Sequence, residues 1–99
     1  MLEKAYQECL LYKLNKDGFR VEKEKAMPLY FDGVHLDCGF RIDILVENQV
    51  VLEIKSVKQI DDIHLAQILT YMKIGKFDIG LILNFNVLSL KDGIKRVVL

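Results

Sequence analysis

Residues 50–57, VVLEIKSV, narrow what this chain can become more than any other stretch. Val50, Val51, Leu52 and Ile54 are apolar and Val57 follows, which predicts a strand destined for burial. Glu53 and Lys55 interrupt it, and at the period of two both point to the same face. A charge inside such a run costs several kcal/mol unless something compensates it. The fold must therefore bring a partner to that face.

The preceding strand offers one. Phe40–Val46, FRIDILV, alternates so that Phe40, Ile42, Ile44 and Val46 face one way and Arg41, Asp43 and Leu45 the other. With a short turn at ENQ, Val46 meets Val50, Ile44 meets Leu52, and Asp43 is expected directly opposite Glu53. Lys55 is then expected across from Arg41. Cross-strand neighbours have Cβ atoms about 4.5–5.5 Å apart, where like charges repel. Two adjacent carboxylates with cations behind them either share a proton or hold a metal. A hard divalent cation such as Mg²⁺ prefers one or two protein carboxylates and otherwise keeps waters and phosphate oxygens. Asp43 and Glu53 match that requirement, with the carbonyl of Ile54 close enough to help. Lys55 would orient or deprotonate an attacking water, or neutralise charge building on a phosphate. The plainer alternative is a solvated sheet face with ordinary charges.

The rest of the chain frames this hairpin. Residues 2–16 read as a helix closed by Asp17-Gly18. Its wheel puts Leu2, Tyr6, Cys9, Leu10 and Leu14 on one side, with Glu3 inside the stripe and Glu8 nearly opposite. Phe19 to about Lys25 reads as an extended edge, and Met27–Phe31 continues it to a hairpin turn at Asp32-Gly33 before Val34–Leu36. Asp61-Asp62 introduce a helix over about Ile63–Ile74, ended by Gly75. Here His64, Gln67 and Tyr71 share a stripe beside an apolar face of Leu65, Leu69 and Met72. On its own such a stripe is more often a solvated rim than a site. Residues 77–85 form a buried strand with close backbone approach at Gly80. A turn at Lys91–Gly93 leads into a last strand, Ile94–Val98. The order is helix, three antiparallel strands, helix, strand, strand: an α/β sheet with helices packed on it.

The totals exclude other classes. A chain of 99 residues that is 52% hydrophobic, with one proline, fits one ordered domain. Fourteen basic residues balance fourteen acidic ones, so bulk attraction to nucleic acid or membrane has no support and anion binding must be local. Cys9 and Cys38 form no CxxC pair, which reads as reduced thiols in a cytoplasmic protein. No apolar stretch is long enough to span a bilayer, and the N-terminus lacks the pattern of a secretion signal.

Asp43 followed by Glu53-Ile54-Lys55 resembles the PD-(D/E)XK nuclease superfamily. Gln67 and Tyr71 look like the QxxxY motif of its RecB-type branch. Glu3 and Tyr6 look like the ExxY half of the GxxExxY protein family, whose ending NFNVLSLKDGIKRVV is also similar. The resemblance covers nearly all of the chain. It implies a restriction-endonuclease-like core, a mixed central sheet flanked by helices in the order α-β-β-β-α-β-β. It also implies hydrolysis of phosphodiester bonds in nucleic acid, DNA first, by metal-activated water with Mg²⁺ or Mn²⁺. Asp43, Glu53, the Ile54 carbonyl and Glu3 would be the ligands, Lys55 catalytic, and Gln67, Tyr71 and His64 near the substrate. Glu3 is preferred to Glu8 because the wheel and the motif both point to it. Members of that family usually carry a further N-terminal helical segment and a Gly-rich stretch, so the resemblance implies a domain lacking that segment. A catalytically inactive nuclease-fold module acting in protein or nucleic-acid binding is the alternative. An exposed strand edge in so short a chain makes a homodimer an expectation.

Overall fold

Val50–Lys55 lies at the centre of the sheet. In the computed structural model, which describes residues 2–99, the strands Val21–Ala26 (β1), Arg41–Val46 (β4), Val50–Lys55 (β5), Ile79–Asn84 (β6) and Ile94–Val98 (β7) form one sheet in the order β1-β4-β5-β6-β7. β5 pairs antiparallel with β4 and parallel with β6, so the sheet is mixed. Leu2–Lys16 (α1) packs on one face and Asp62–Gly75 (α2) on the other. The order α-β-β-β-α-β-β expected from the sequence is that of this sheet and its two helices. Leu29–Phe31 (β2) and Val34–Leu36 (β3) form a separate two-stranded hairpin inserted between β1 and β4. The proline at position 28, which has no N–H to give a ladder, stands in the break between β1 and β2. No helix among the described residues is long and apolar enough to cross a membrane.

Two apolar layers hold the sheet. Towards α1, Ile44, Leu52, Ile54 and Leu83 are buried beneath Tyr6, Leu10, Leu11 and Leu14. Towards α2, Ile42, Leu45, Val51 and Ile82 pack against Ile68, Tyr71 and Met72. Burying each large aliphatic side chain contributes about 1.5–3 kcal/mol. Close approach of α2 depends on Gly80: a Cβ there would stand 2.8 Å from Ile68 Cδ1 and from Met72 Sδ.

α1 closes as its Asp17-Gly18 ending predicts. Phe19 N–H donates to Leu14 O at 3.0 Å and Gly18 N–H to Asn15 O at 3.1 Å, the paired bonds of a Schellman cap. Its buried face differs from the expected one. Leu2 and Cys9 are exposed, whereas Gln7 is buried and Leu11 packs on the core. Adding Gln7 and Leu11 recentres the face on Glu3 and Leu14, more than about 100° from Cys9.

The alternation predicted for β4 also breaks. Ile44 belongs to the α1 layer, but Ile42 and Leu45, three residues apart, belong to the α2 layer. Strict period two would put them on opposite faces, so one residue between them is irregular. That residue is Asp43.

Candidate active site

Asp43 belongs to no ladder pair on either side. On the β1 side, the pairs Lys23↔Ile44 and Lys25↔Ile42 flank it, and Glu24 between them has a left-handed φ of 50°. On the β5 side the ladder ends at Ile44↔Leu52. Side chains then take over from the backbone. Asp43 Oδ2 accepts from Ile54 N–H at 2.7 Å, while Asp43 N–H donates to Glu53 Oε1 at 3.3 Å. The two acids therefore meet as expected, but through side-chain-to-backbone bonds, Glu53 to the Asp43 amide and Asp43 to the Ile54 amide, rather than as a flat cross-strand pair.

Burial sets their chemistry. Glu53 is 2% exposed. Desolvation, followed by the charge of Asp43, pushes its carboxyl up to about 8. Asp43 is raised too, by desolvation first, while its bond from Ile54 N–H and the charge of Lys55 pull it down. Both causes favour the protonated form of Glu53 well above the ordinary carboxylate range.

Lys55 completes one connected line of side chains. Its Nζ donates to Gln67 Oε1 at 2.9 Å, and Gln67 Nε2 donates to Tyr71 Oη at 3.2 Å. Gln67 is thus a strut between β5 and α2 that holds the ammonium where its charge acts on both carboxylates. Arg41 does not stand across from Lys55. Its guanidinium donates to Asp37 Oδ1 at 3.4 Å, because the strands part before that register is reached.

Glu3 reaches the site from α1. Its Oε2 accepts from Ser56 N–H at 3.0 Å, and its charge acts on Asp43. Glu8 lies on the surface beside Lys23, 3.5 Å away. His64 Nδ1 accepts from Asp61 N–H at 2.9 Å and so caps the start of α2, in the manner of a capping box with histidine in the usual Glu position. Tyr71 is not on a solvated rim: it is buried, with its ring 5.9 Å from that of Phe40.

Three neighbours were missed from the sequence. Asn84, buried at the end of β6, accepts from Val57 N–H at 3.1 Å and donates to Val57 O at 2.8 Å. It anchors the segment whose Ser56 amide holds Glu3. Gln7, buried in α1, donates to Glu24 Oε2 at 3.4 Å, and Lys4 binds the same carboxylate. A lone Asn closing the apolar run LILN was the only signal for the first. Gln7 and Lys4 carry none, since polar residues are ordinary on a helix.

The donor set suits a hard divalent cation. Two carboxylates meet on one buried edge, and the Ile54 backbone lies against them. Among the described residues, no three His, Cys, Asp or Glu side chains stand together as a ready-made cluster. A pair is what Mg²⁺ asks of a protein when waters and phosphate oxygens complete its shell.

A mixed sheet between two helices, carrying Asp and Glu-x-Lys on adjacent central strands, defines a nuclease-like class of protein. Residues 1–97 match the family model of the PD-(D/E)XK nuclease superfamily, and the chain belongs to that superfamily. Its nucleases act on nucleic acid and generally use divalent metals. No curated protein and no solved structure matches the chain significantly.

Proposed function

We propose that this chain is a Mg²⁺- or Mn²⁺-dependent nuclease that hydrolyses phosphodiester bonds, with DNA as its substrate. Within the superfamily we assign it to the RecB-type branch and to the GxxExxY family, on Gln67–Tyr71 and on Glu3 with Tyr6. The observation that carries the reading is the pair of bonds where the ladder ends: Asp43 N–H donates to the Glu53 carboxyl and Ile54 N–H to the Asp43 carboxyl, which keeps the two acids side by side. Such a pair shares a proton until a cation displaces it.

Asp43, Glu53 and the Ile54 carbonyl would hold the ion, with Glu3 joining from α1. When bound, it supplies Lewis-acid charge to the phosphate and lowers the pKa of water. The protein's own groups do the rest. Lys55, steadied by Gln67, offsets the negative charge that builds on a non-bridging phosphate oxygen and orients the attacking water. Water displaces the leaving oxygen in line, with no covalent enzyme intermediate. Gln67 and Tyr71 position Lys55 and border the substrate path, and His64 fixes the start of α2.

A plasmid-nicking assay with Mn²⁺ tests this reading. Wild type should nick, Asp43→Ala should abolish nicking, and Lys55→Ala should lower the rate at least about 100-fold. A wild type that neither binds Mn²⁺ nor nicks would refute it. One observation favours a second reading, an inactive nuclease-fold module acting in protein or nucleic-acid binding: Glu3 is occupied by the Ser56 amide. Retained oligonucleotide binding without nicking would decide for the module.

A further inference from the structure

Along the outer side of α2 runs an open groove of about 410 Å³, lined by Phe40, Ile63, Ala66, Gln67, Thr70 and Tyr71. We propose that it receives an unpaired nucleobase flanking the scissile phosphate, which makes single-stranded or flared nucleic acid the preferred substrate. This rests on the nuclease reading and goes beyond it in naming the form of the substrate.

Position is the first argument. Gln67 lines the groove and also accepts the hydrogen bond from Lys55 Nζ at 2.9 Å. The groove therefore begins one side chain from the ammonium that acts on Asp43 and Glu53.

Chemistry selects the occupant. No charged residue lines the groove, although 28% of the chain is charged. A phosphate would find no counter-charge there, whereas a base has apolar faces and polar edges. The faces have suitable partners in half-buried Phe40, which rests on the buried Tyr71 ring, and in Ile63, an aliphatic side chain 74% exposed at the lip. The edges have polar groups as well. Thr70 Oγ1 donates to Ala66 O at 2.8 Å, which leaves its lone pairs to accept. Gln67 Nε2 gives one proton to Tyr71 Oη and has a second to offer. The volume lies within the range of small-ligand sites. A base stacked within a duplex cannot enter such a groove without leaving the stack, at a cost that is least for a base already single-stranded.

The test uses the full chain with Ca²⁺ and 2-aminopurine-labelled oligonucleotides: a single strand, its blunt duplex, and an abasic single strand of equal length. Ala66 and Ile63 are exposed, so Ala66→Phe fills the groove, and Ile63→Glu charges its lip, without disturbing the core. Wild type should bind the single strand more tightly than the duplex or the abasic strand and should change the 2-aminopurine fluorescence. Either substitution should weaken single-strand binding at least about fivefold. Affinity for the abasic strand and calorimetric Mn²⁺ binding should stay unchanged. Equal single-strand affinity in wild type and both variants overturns the proposal, and if wild type still nicks plasmid, the nuclease reading survives it. A wild-type dimer that Ala66→Phe dissociates, with oligonucleotide binding intact, assigns the groove to a second copy and also overturns it. If wild type neither binds nor cuts any nucleic acid, both readings fall together.

Discussion

Glu53 is a structural liability, a carboxyl buried beside a second acid, that the proposed metal site would put to use. Its unfolded carboxyl titrates near the ordinary value of 4.5, and its folded one near 8. Between those values the folded state binds more protons than the unfolded one, so stability must fall as pH rises from about 4.5 to 8. Glu53→Gln mimics the protonated acid. In metal-free buffer it should match wild type near pH 4.5 and exceed it increasingly above pH 6, reaching on the order of 3 kcal/mol by pH 9. Urea denaturation across that range checks it; wild-type stability that rises with pH would contradict the assignment. The same proton predicts a linkage. Binding of Mn²⁺ at pH 7 should release about one proton, visible as a buffer-dependent enthalpy in calorimetry, and the release should vanish near pH 9. The pair itself was legible in the sequence, because two acids on apolar strands need each other. The irregularity at Asp43 was not. It depends on Glu24 across the sheet, whose left-handed φ of 50° leaves Asp43 without a ladder partner.

At the scale of elements, the helices and central strands follow from apolar period and from caps, as α1 and β5 illustrate. What escaped was rotation and insertion. Leu11 and Gln7 turn α1 about its axis relative to the expected face, and no wheel shows which of two adjoining stripes meets the sheet. The hairpin turn at Asp32-Gly33 is as expected, but β2 is not a continuation of β1: both are extended in the sequence pattern, and only tertiary pairing separates them into two sheets. The short 3₁₀ turn Leu90–Gly93 carries a sharper consequence. A Cβ on Gly93 would stand 2.1 Å from the carbonyl oxygen of Asn84, a backbone atom that cannot yield as a side chain can. Gly93→Ala should destabilise the fold by about 3 kcal/mol. It should also weaken Mn²⁺ binding, since Asn84 anchors the segment after β5. Thermal denaturation and calorimetry check the two effects, and unchanged values would show that the turn and the site are independent.

The molecule as a whole is electrically neutral, with fourteen residues of each sign. A neutral net charge supplies no broad positive field of the kind by which many proteins gather nucleic acid, so on the proposed reading the attraction would come from a cation held at the carboxylates. Removing divalent cations with EDTA should therefore lower oligonucleotide affinity at least tenfold, measured by fluorescence anisotropy at fixed ionic strength. Restoring Mg²⁺ should recover it, whereas affinity indifferent to chelation would mean that other surfaces do the binding. If Asp43 and Glu53 form a metal site, the ion must lie between them. A crystal soaked in Mn²⁺ and measured for anomalous scattering tests it most directly. A peak is expected between the two carboxylates, with Glu53 deprotonated and Lys55 still on Gln67. A structure with no peak there, and the two carboxyl groups still on the Asp43 and Ile54 amides, would contradict it.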